Sequence, residues 1–196
     1  MCILKRALWD EVRHPRPGDP LKSFSCGLPD VDHVIHRKGF GAWKKEKSTP
    51  YICLDSQTGD IQGVFVLKTI GVSEHDIHIN PADDQAQEPA TQAITDTLTN
   101  KSGLYSGILL CQLGLSQKVV RHQKQGTLLL LQAMKAAVVA HLQSAVDFFI
   151  VDAATPELVD FYLDASSGLL LPTGNLRLMA PMVGIRNYLK GLNIVK

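Results

Sequence analysis

"LLCQLGLSQKVVRHQKQGTLLLLQAM", residues 109–134, decides how the chain is read. An apolar run with one interior glycine, Gly114, reads as a buried strand, because such a glycine marks either a bulge or a place where a ligand nears the backbone. A cation-rich turn follows, Arg121 to Gly126, and then a helix of leucine, alanine and methionine with apolar residues on nearly every face. A strand, a basic loop and a helix in that order can present a phosphate to a helix N-terminus, where backbone N–H groups and the helix dipole favour an anion. The same residues also suit a basic turn ahead of a buried helix. Lys124 is the irregular position, standing where a phosphate loop would carry a second glycine. With φ positive, a lysine there costs about 1 kcal/mol relative to glycine; with φ negative, its ammonium adds a phosphate partner.

Outward from this stretch, composition sets the frame. With 196 residues, 45% hydrophobic and 20% charged, the chain predicts a single domain over 1–196 with a full core and excludes global disorder. No apolar run approaches the roughly 20 residues that span a bilayer. The N-terminal "MCILKRALWDEVRHPRPGDP" sets its charges inside its apolar patch, which argues against a signal peptide and against any membrane partner. Cys2, Cys26, Cys53 and Cys111 contain no CxxC pair, so a reduced, cytoplasmic protein is expected. The net charge is only +1, yet residues 1–50 hold ten Lys/Arg against six Asp/Glu, residues 51–105 two against eight, and residues 106–150 four against one. Two basic segments folding together would make a face for a polyanion; a solvated, mixed surface is the plainer alternative.

The flanking elements follow from pattern. A short strand is expected within residues 1–22, before the turn "HPRPGDP" (14–20). A helix is expected from "LPDVDHVIHRKGF" (28–40), with Pro29 early and Gly39 as its end. "PYICLDSQTGDIQGVFVLKTIGV" (50–72) reads as a hairpin around "SQTGD". Residues 73–103, acidic and polar, read as an insertion with a short helix after Pro89. "VDFFIVDA" (146–153) is a buried strand, and "TPELVDFYLDAS" (155–166) a helix with Thr155 as N-cap and Pro156 first. Phe161 reads as core, and "LRLMAPMVGI" (176–185) as the last strand. The order is that of an α/β or α+β domain around a mixed sheet.

Taken together, four strings resemble the GNAT acetyltransferases, and more narrowly the GNAT toxins of toxin–antitoxin modules. "FSCGLPDVDHVI" (24–35) is similar to their N-terminal Phe-x-Cys-Gly signature, and the 50–72 hairpin to their second and third strands. Residues 109–134 resemble the fourth strand, the acetyl-CoA pyrophosphate loop and its helix. "FIVDAATPELVDFYLDASSGLLLP" (149–172) resembles the fifth strand and the helix bearing a Phe-Tyr pair. In the loop pattern Gln/Arg-x-x-Gly-x-Gly/Ala, Arg121 takes the first position, Lys124 the first glycine and Gly126 the last.

The resemblance implies a central, mostly antiparallel twisted sheet, flanked by helices and splayed at its fourth and fifth strands, with acetyl-CoA as co-substrate. It implies that the amides of Gln123, Lys124, Gln125, Gly126 and Thr127, with Arg121 as an added cation, hold the pyrophosphate. The backbone of Leu113, Gly114 and Leu115 would polarise the thioester carbonyl, although Gly114 also suits a bulge in a packed sheet. Tyr162 would be the general acid. The implied reaction is acetylation of the α-amino group of an aminoacyl-tRNA, which blocks translation; the implied partners are a ribbon-helix-helix antitoxin and a second copy of the chain in a homodimer. Two other readings stand beside it: acetylation of a small amine or protein N-terminus, which the near-neutral charge suits, and a non-catalytic GNAT-like binding protein, which Lys124 suits. No metal site is expected, since Cys26, His33 and His36 share a segment without a fourth ligand.

Overall fold

The computed structural model describes residues 9, 11–45, 48–73, 77, 88–99, 104–119, 124–174 and 176–196. Their strands are β1 (Glu11–Arg13), β2 (Ser48–Leu54), β3 (Ile61–Ser73), β4 (Leu104–Leu115), β5 (Phe148–Asp152), β6 (Leu171–Pro172) and β7 (Arg177–Pro181). Their helices are α1 (Pro29–Lys45), α2 (Glu88–Thr99), α3 (Gln125–Ser144), α4 (Pro156–Ala165) and α5 (Met182–Gly191), with a 3₁₀ turn at Leu21–Ser23. The seven described strands form one sheet in the order β1-β2-β3-β4-β5-β7-β6. It is mostly antiparallel, with β4 and β5 parallel, as a crossover through a helix requires. This is the mixed α/β architecture that the sequence predicts.

The chain forms two compact units, one of residues 1–68 and 110–133, the other of 69–109 and 134–196. In the first, β2 and β3 pair around a turn that Asp55 organises. Its carboxylate accepts the N–H groups of Gln57 and Thr58 at 2.8 and 2.9 Å and the Gln62 side-chain amide at 2.6 Å. This is the expected hairpin, with a register shift between Cys53 and Leu54. Leu21, Phe24, Cys26, Ile35, Ile52, Leu54, Ile61, Val64 and Val66 form the core, each large apolar side chain contributing about 1.5–3 kcal/mol by leaving water. Helix α1 begins at Pro29 as expected but runs through Gly39 to Lys45. A single interior glycine costs only about 1 kcal/mol against alanine, too little to end a helix by itself.

In the second unit β5 pairs with β7 from Phe148↔Pro181 to Asp152↔Arg177. Its core joins Val72, Ile94, Tyr105, Phe148, Ile150, Leu171 and Met179. The helix expected after Pro89 is present as α2, but it is no peripheral feature: Ile94 is fully buried, and the Tyr105 hydroxyl donates to the Leu98 carbonyl at 2.5 Å. Few apolar residues in an acidic segment suffice when they recur at helical spacing. The last predicted strand is too long. It stops at Pro181, which has no N–H for a ladder, and residues 182–191 continue as α5, burying Met182, Ile185 and Leu189. That three- to four-residue spacing was the missed helix signal. Helix α3, expected to be largely buried, is buried from Leu128 to Met134 and again at Ala137 and Val138, but Val139 and Leu142 are 51% and 61% exposed. Among the described residues no helix is long and apolar enough to cross a membrane.

Candidate functional site

In the first unit, the start of α3 carries the geometry of an anion site. Leu128 N–H donates to the Lys124 carbonyl at 3.1 Å as the first bond of the helix. The amides of Gln125, Gly126 and Thr127 lie ahead of it and have no intrahelical acceptor. No acidic side chain stands in this first turn, so nothing there offsets the positive end of a 20-residue dipole, equivalent to roughly half a charge. Lys124 is exposed and has a φ of 54°. The structure thus selects between the two readings of this lysine: it stands in the left-handed region, at a cost of about 1 kcal/mol relative to glycine. The residue aligned with the expected glycine takes the conformation a glycine favours. Three amides in the first turn of a helix, behind a single left-handed residue, are donors of the kind that can bind an anion. Arg121 and Gln123 lie outside the described residues.

Leu113, Gly114 and Leu115 are the last three residues of β4. Gly114 is buried, but the side where a Cβ would stand is not bare. A Cβ built there meets Cys26 Cβ at 3.3 Å, Cys26 Sγ at 3.4 Å and Val31 Cγ1 at 3.4 Å. Packing against residues 26–31 is therefore one physical reason for the glycine.

Those residues belong to the turn at 24–27, which hydrogen bonds fix on several sides. Asp32, in the first turn of α1, reaches back with both oxygens: Cys26 N–H donates to Oδ1 at 2.8 Å and the Ser25 hydroxyl to Oδ2 at 2.7 Å. Burial opposes ionisation of Asp32, yet the Cys26 N–H, aided by the Cys26 thiol, Ser25 hydroxyl and Gly27 N–H, holds its carboxyl below the usual 3.8. Burial, and then the neighbouring Asp32, pushes the Cys26 thiol up to about 11. His36 Nε2 lies 2.6 Å from the Phe24 carbonyl. On the β4 side, Gln117 N–H donates to the Ser25 carbonyl at 2.8 Å, and Ser116 N–H to the Gln62 carbonyl at 2.8 Å. Gly27 has a φ of 82°, and a Cβ there would lie 2.5 Å from Gln117 Nε2. The sequence marks the Cys-Gly pair but neither Asp32 nor Gln117, and the part of Gln117 rests on a contact with Ser25, 92 residues away along the chain.

In the second unit, Tyr162 sits in α4. Thr155 occupies the N-cap position with extended backbone but makes no side-chain cap bond, so Pro156 at the first helical position marks the start instead. Phe161, expected in the core, is only partly buried and meets the Tyr162 ring edge-on at 5.1 Å, whereas Tyr162 is 8% exposed. Burial alone pushes the Tyr162 phenol up to about 12, with no described hydrogen bond contributing. It is a protonated donor throughout the neutral range.

The architecture defines the class first: a GNAT toxin-like fold. Among solved structures, AtaT complexed with acetyl-methionyl-tRNAfMet covers 90% of this chain and 97% of its own, with a TM-score of 0.70 and 15% identity. AtaTR bound with acetyl-CoA covers 90% and 96% with a TM-score of 0.68 and 15% identity. The KacTA–DNA complex covers 92% and 98% with a TM-score of 0.66 and 14% identity. At such identities the likeness is one of fold. No protein-family model matches the sequence, and no curated protein matches it in sequence.

Proposed function

We propose that this chain is an acetyl-CoA-dependent N-acetyltransferase, a toxin that acetylates the α-amino group of aminoacyl-tRNA and so blocks translation. The observation that carries it is the start of α3: a left-handed Lys124 followed by three amides without intrahelical acceptors, at the place where the sequence resembles a pyrophosphate loop. Structures of the same fold hold acetyl-CoA and an acetyl-aminoacyl-tRNA, which supports the reading without assigning it.

In this reading the amides of Gln125, Gly126 and Thr127, joined by those of Gln123 and Lys124, take the pyrophosphate, with Arg121 as an added cation, while the positive φ of Lys124 costs the loop about 1 kcal/mol. The backbone of Leu113–Leu115 faces the thioester carbonyl. An aminoacyl α-amine, with a pKa near 7.7–8.0 as a free amino group, is substantially neutral at cellular pH and needs no strong base. Its nitrogen attacks the carbonyl carbon, the C–N bond forms and the C–S bond breaks. Tyr162 gives its proton to the departing sulfur and recovers the one that the nitrogen sheds. A cytoplasmic location, a ribbon-helix-helix antitoxin and a homodimer belong to the same proposal. So does folding as a single domain, since β3, β4 and α3 each run through both units; one cooperative thermal transition is its expected signature.

The test mixes the purified chain with acetyl-CoA and a panel of charged tRNAs. Acetyl-aminoacyl-tRNA and free CoA thiol are expected, at a rate that falls steeply with salt because the acceptor is held through phosphates. Transfer to free amines or protein N-termini alone, or transfer to charged tRNA that ignores salt, overturns the tRNA reading.

A further inference from the structure

The turn at residues 24–27 has a role that the catalytic reading leaves unassigned. It touches β4 at two places, both beside the residues that reading needs. Cys26 fills the space beside Gly114, and Ser25 and Gly27 meet Gln117, where the chain leaves β4 for the loop ahead of α3. The Ser25 hydroxyl donates to Asp32 Oδ2 at 2.7 Å, and Gln117 Oε1 lies 3.2 Å from the same hydroxyl oxygen, so the helix start and the end of the strand meet at Ser25. The positive φ of Gly27 lets the chain pass under the Gln117 side chain, where any Cβ would collide with it. One carboxylate anchors the whole arrangement.

We propose that Asp32 is a positioning residue for the cofactor: by holding the Cys26 N–H and the Ser25 hydroxyl it fixes the turn against which residues 113–117 rest. This sets the β4 backbone and the departure point of the loop. The inference rests on the acetyl-CoA reading above. Without Asp32 the Cys26 N–H loses its acceptor and the Ser25 hydroxyl is left with only the longer contact to Gln117 Oε1, so the turn is free to shift against Gly114. An error of an ångström in a binding edge is enough to be read as lost affinity.

The experiment measures acetyl-CoA binding by calorimetry, and turnover at saturating acetyl-CoA, for the full chain and for Asp32→Asn and Gln117→Ala. Ile52→Val, in the same core but away from the turn, is the control for lost stability. Asp32→Asn keeps one acceptor oxygen and loses the other. It is expected to weaken acetyl-CoA about tenfold, the scale of one hydrogen bond to a charged group, with a smaller change in turnover. Gln117→Ala removes an exposed side chain without disturbing the fold, and a loss of several-fold is expected. Ile52→Val should lower the melting temperature and leave cofactor affinity alone. If wild type binds acetyl-CoA and both turn variants bind it equally well, the positioning role is overturned while the enzyme reading stands. A general loss of affinity that Ile52→Val shares also overturns it. If wild type itself does not bind acetyl-CoA, the enzyme reading fails and takes this inference with it.

Discussion

Helix α3 has a left-handed, non-glycine residue at each end, and the two ends do different things with it. At the C-terminal end, Ala145 has a φ of 49°, and its N–H caps the His141 carbonyl at 2.8 Å. His141 Nδ1 lies 2.7 Å from the Val146 carbonyl. The strain there is offset by an ordinary helix stop. At the N-terminal end, Lys124 accepts the first helix bond through its carbonyl, and the amides that follow it have no acceptor in their own helix. Both bonds run from residue i to i−4, so the ends differ in what they offer: carbonyls at one, N–H groups at the other, and the N–H groups stand in the segment that resembles a pyrophosphate loop.

The largest effect belongs to neither end. Tyr162→Phe is expected to lower turnover by about 10²–10⁴-fold, the usual worth of a general acid, while calorimetry finds acetyl-CoA affinity unchanged. A matching loss of affinity would move Tyr162 from proton transfer to binding.

Next in size, Lys124→Glu should separate stability from binding at the α3 N-terminus. An acidic residue there complements the dipole by about 0.3–1 kcal/mol, yet it repels phosphate and should weaken acetyl-CoA roughly tenfold or more. Ala145→Glu at the other end should leave affinity as it is. If both charge changes act alike on binding, the contrast between the ends is wrong.

Smaller is the relief of strain. Ala145→Gly and Lys124→Gly should each stabilise the fold by up to about 0.5 kcal/mol, the strain removed less the extra chain entropy of glycine. Chemical denaturation reads both gains. Only Lys124→Gly, which restores the glycine of the loop pattern beside the proposed pyrophosphate site, should change acetyl-CoA affinity, by a few-fold.

The smallest effect is in acid. Because hydrogen bonds hold the Asp32 carboxyl below 3.8, its contribution is full above that value and drains away as pH falls through the lower, folded one. Stability curves of wild type and Asp32→Asn should therefore run apart at neutral pH and converge below about pH 4. A gap that persists in strong acid would mean that Asp32 stabilises the turn by packing and not by charge.

Much of this was legible along the chain. Thr155-Pro156 marked the start of α4, the Asp55–Asp60 turn was written in its Asp, Thr and Gly residues, and the basic loop stood between a glycine-bearing strand and a leucine helix. Local patterns of this kind depend on neighbours within a few residues, so sequence carries them. Helix α5 was lost because its apolar residues follow directly on those of β7, where a three-residue spacing and a strand's alternation overlap. Phe161 reads as core but is only partly buried, because adjacent residues on a helix point about 100° apart and only the packed partner says which of them faces inward.

The sequence by itself determined the order of elements apart from β6 and α5, the loop that opens α3 and the residue types that acyl transfer would need. The tertiary structure decided the sign of φ at Lys124, what fills the space beside Gly114, and that Asp32 anchors a turn against Gln117. Each of these depends on atoms brought together from residues far apart in the chain, and no local pattern encodes a contact whose two halves lie on different elements.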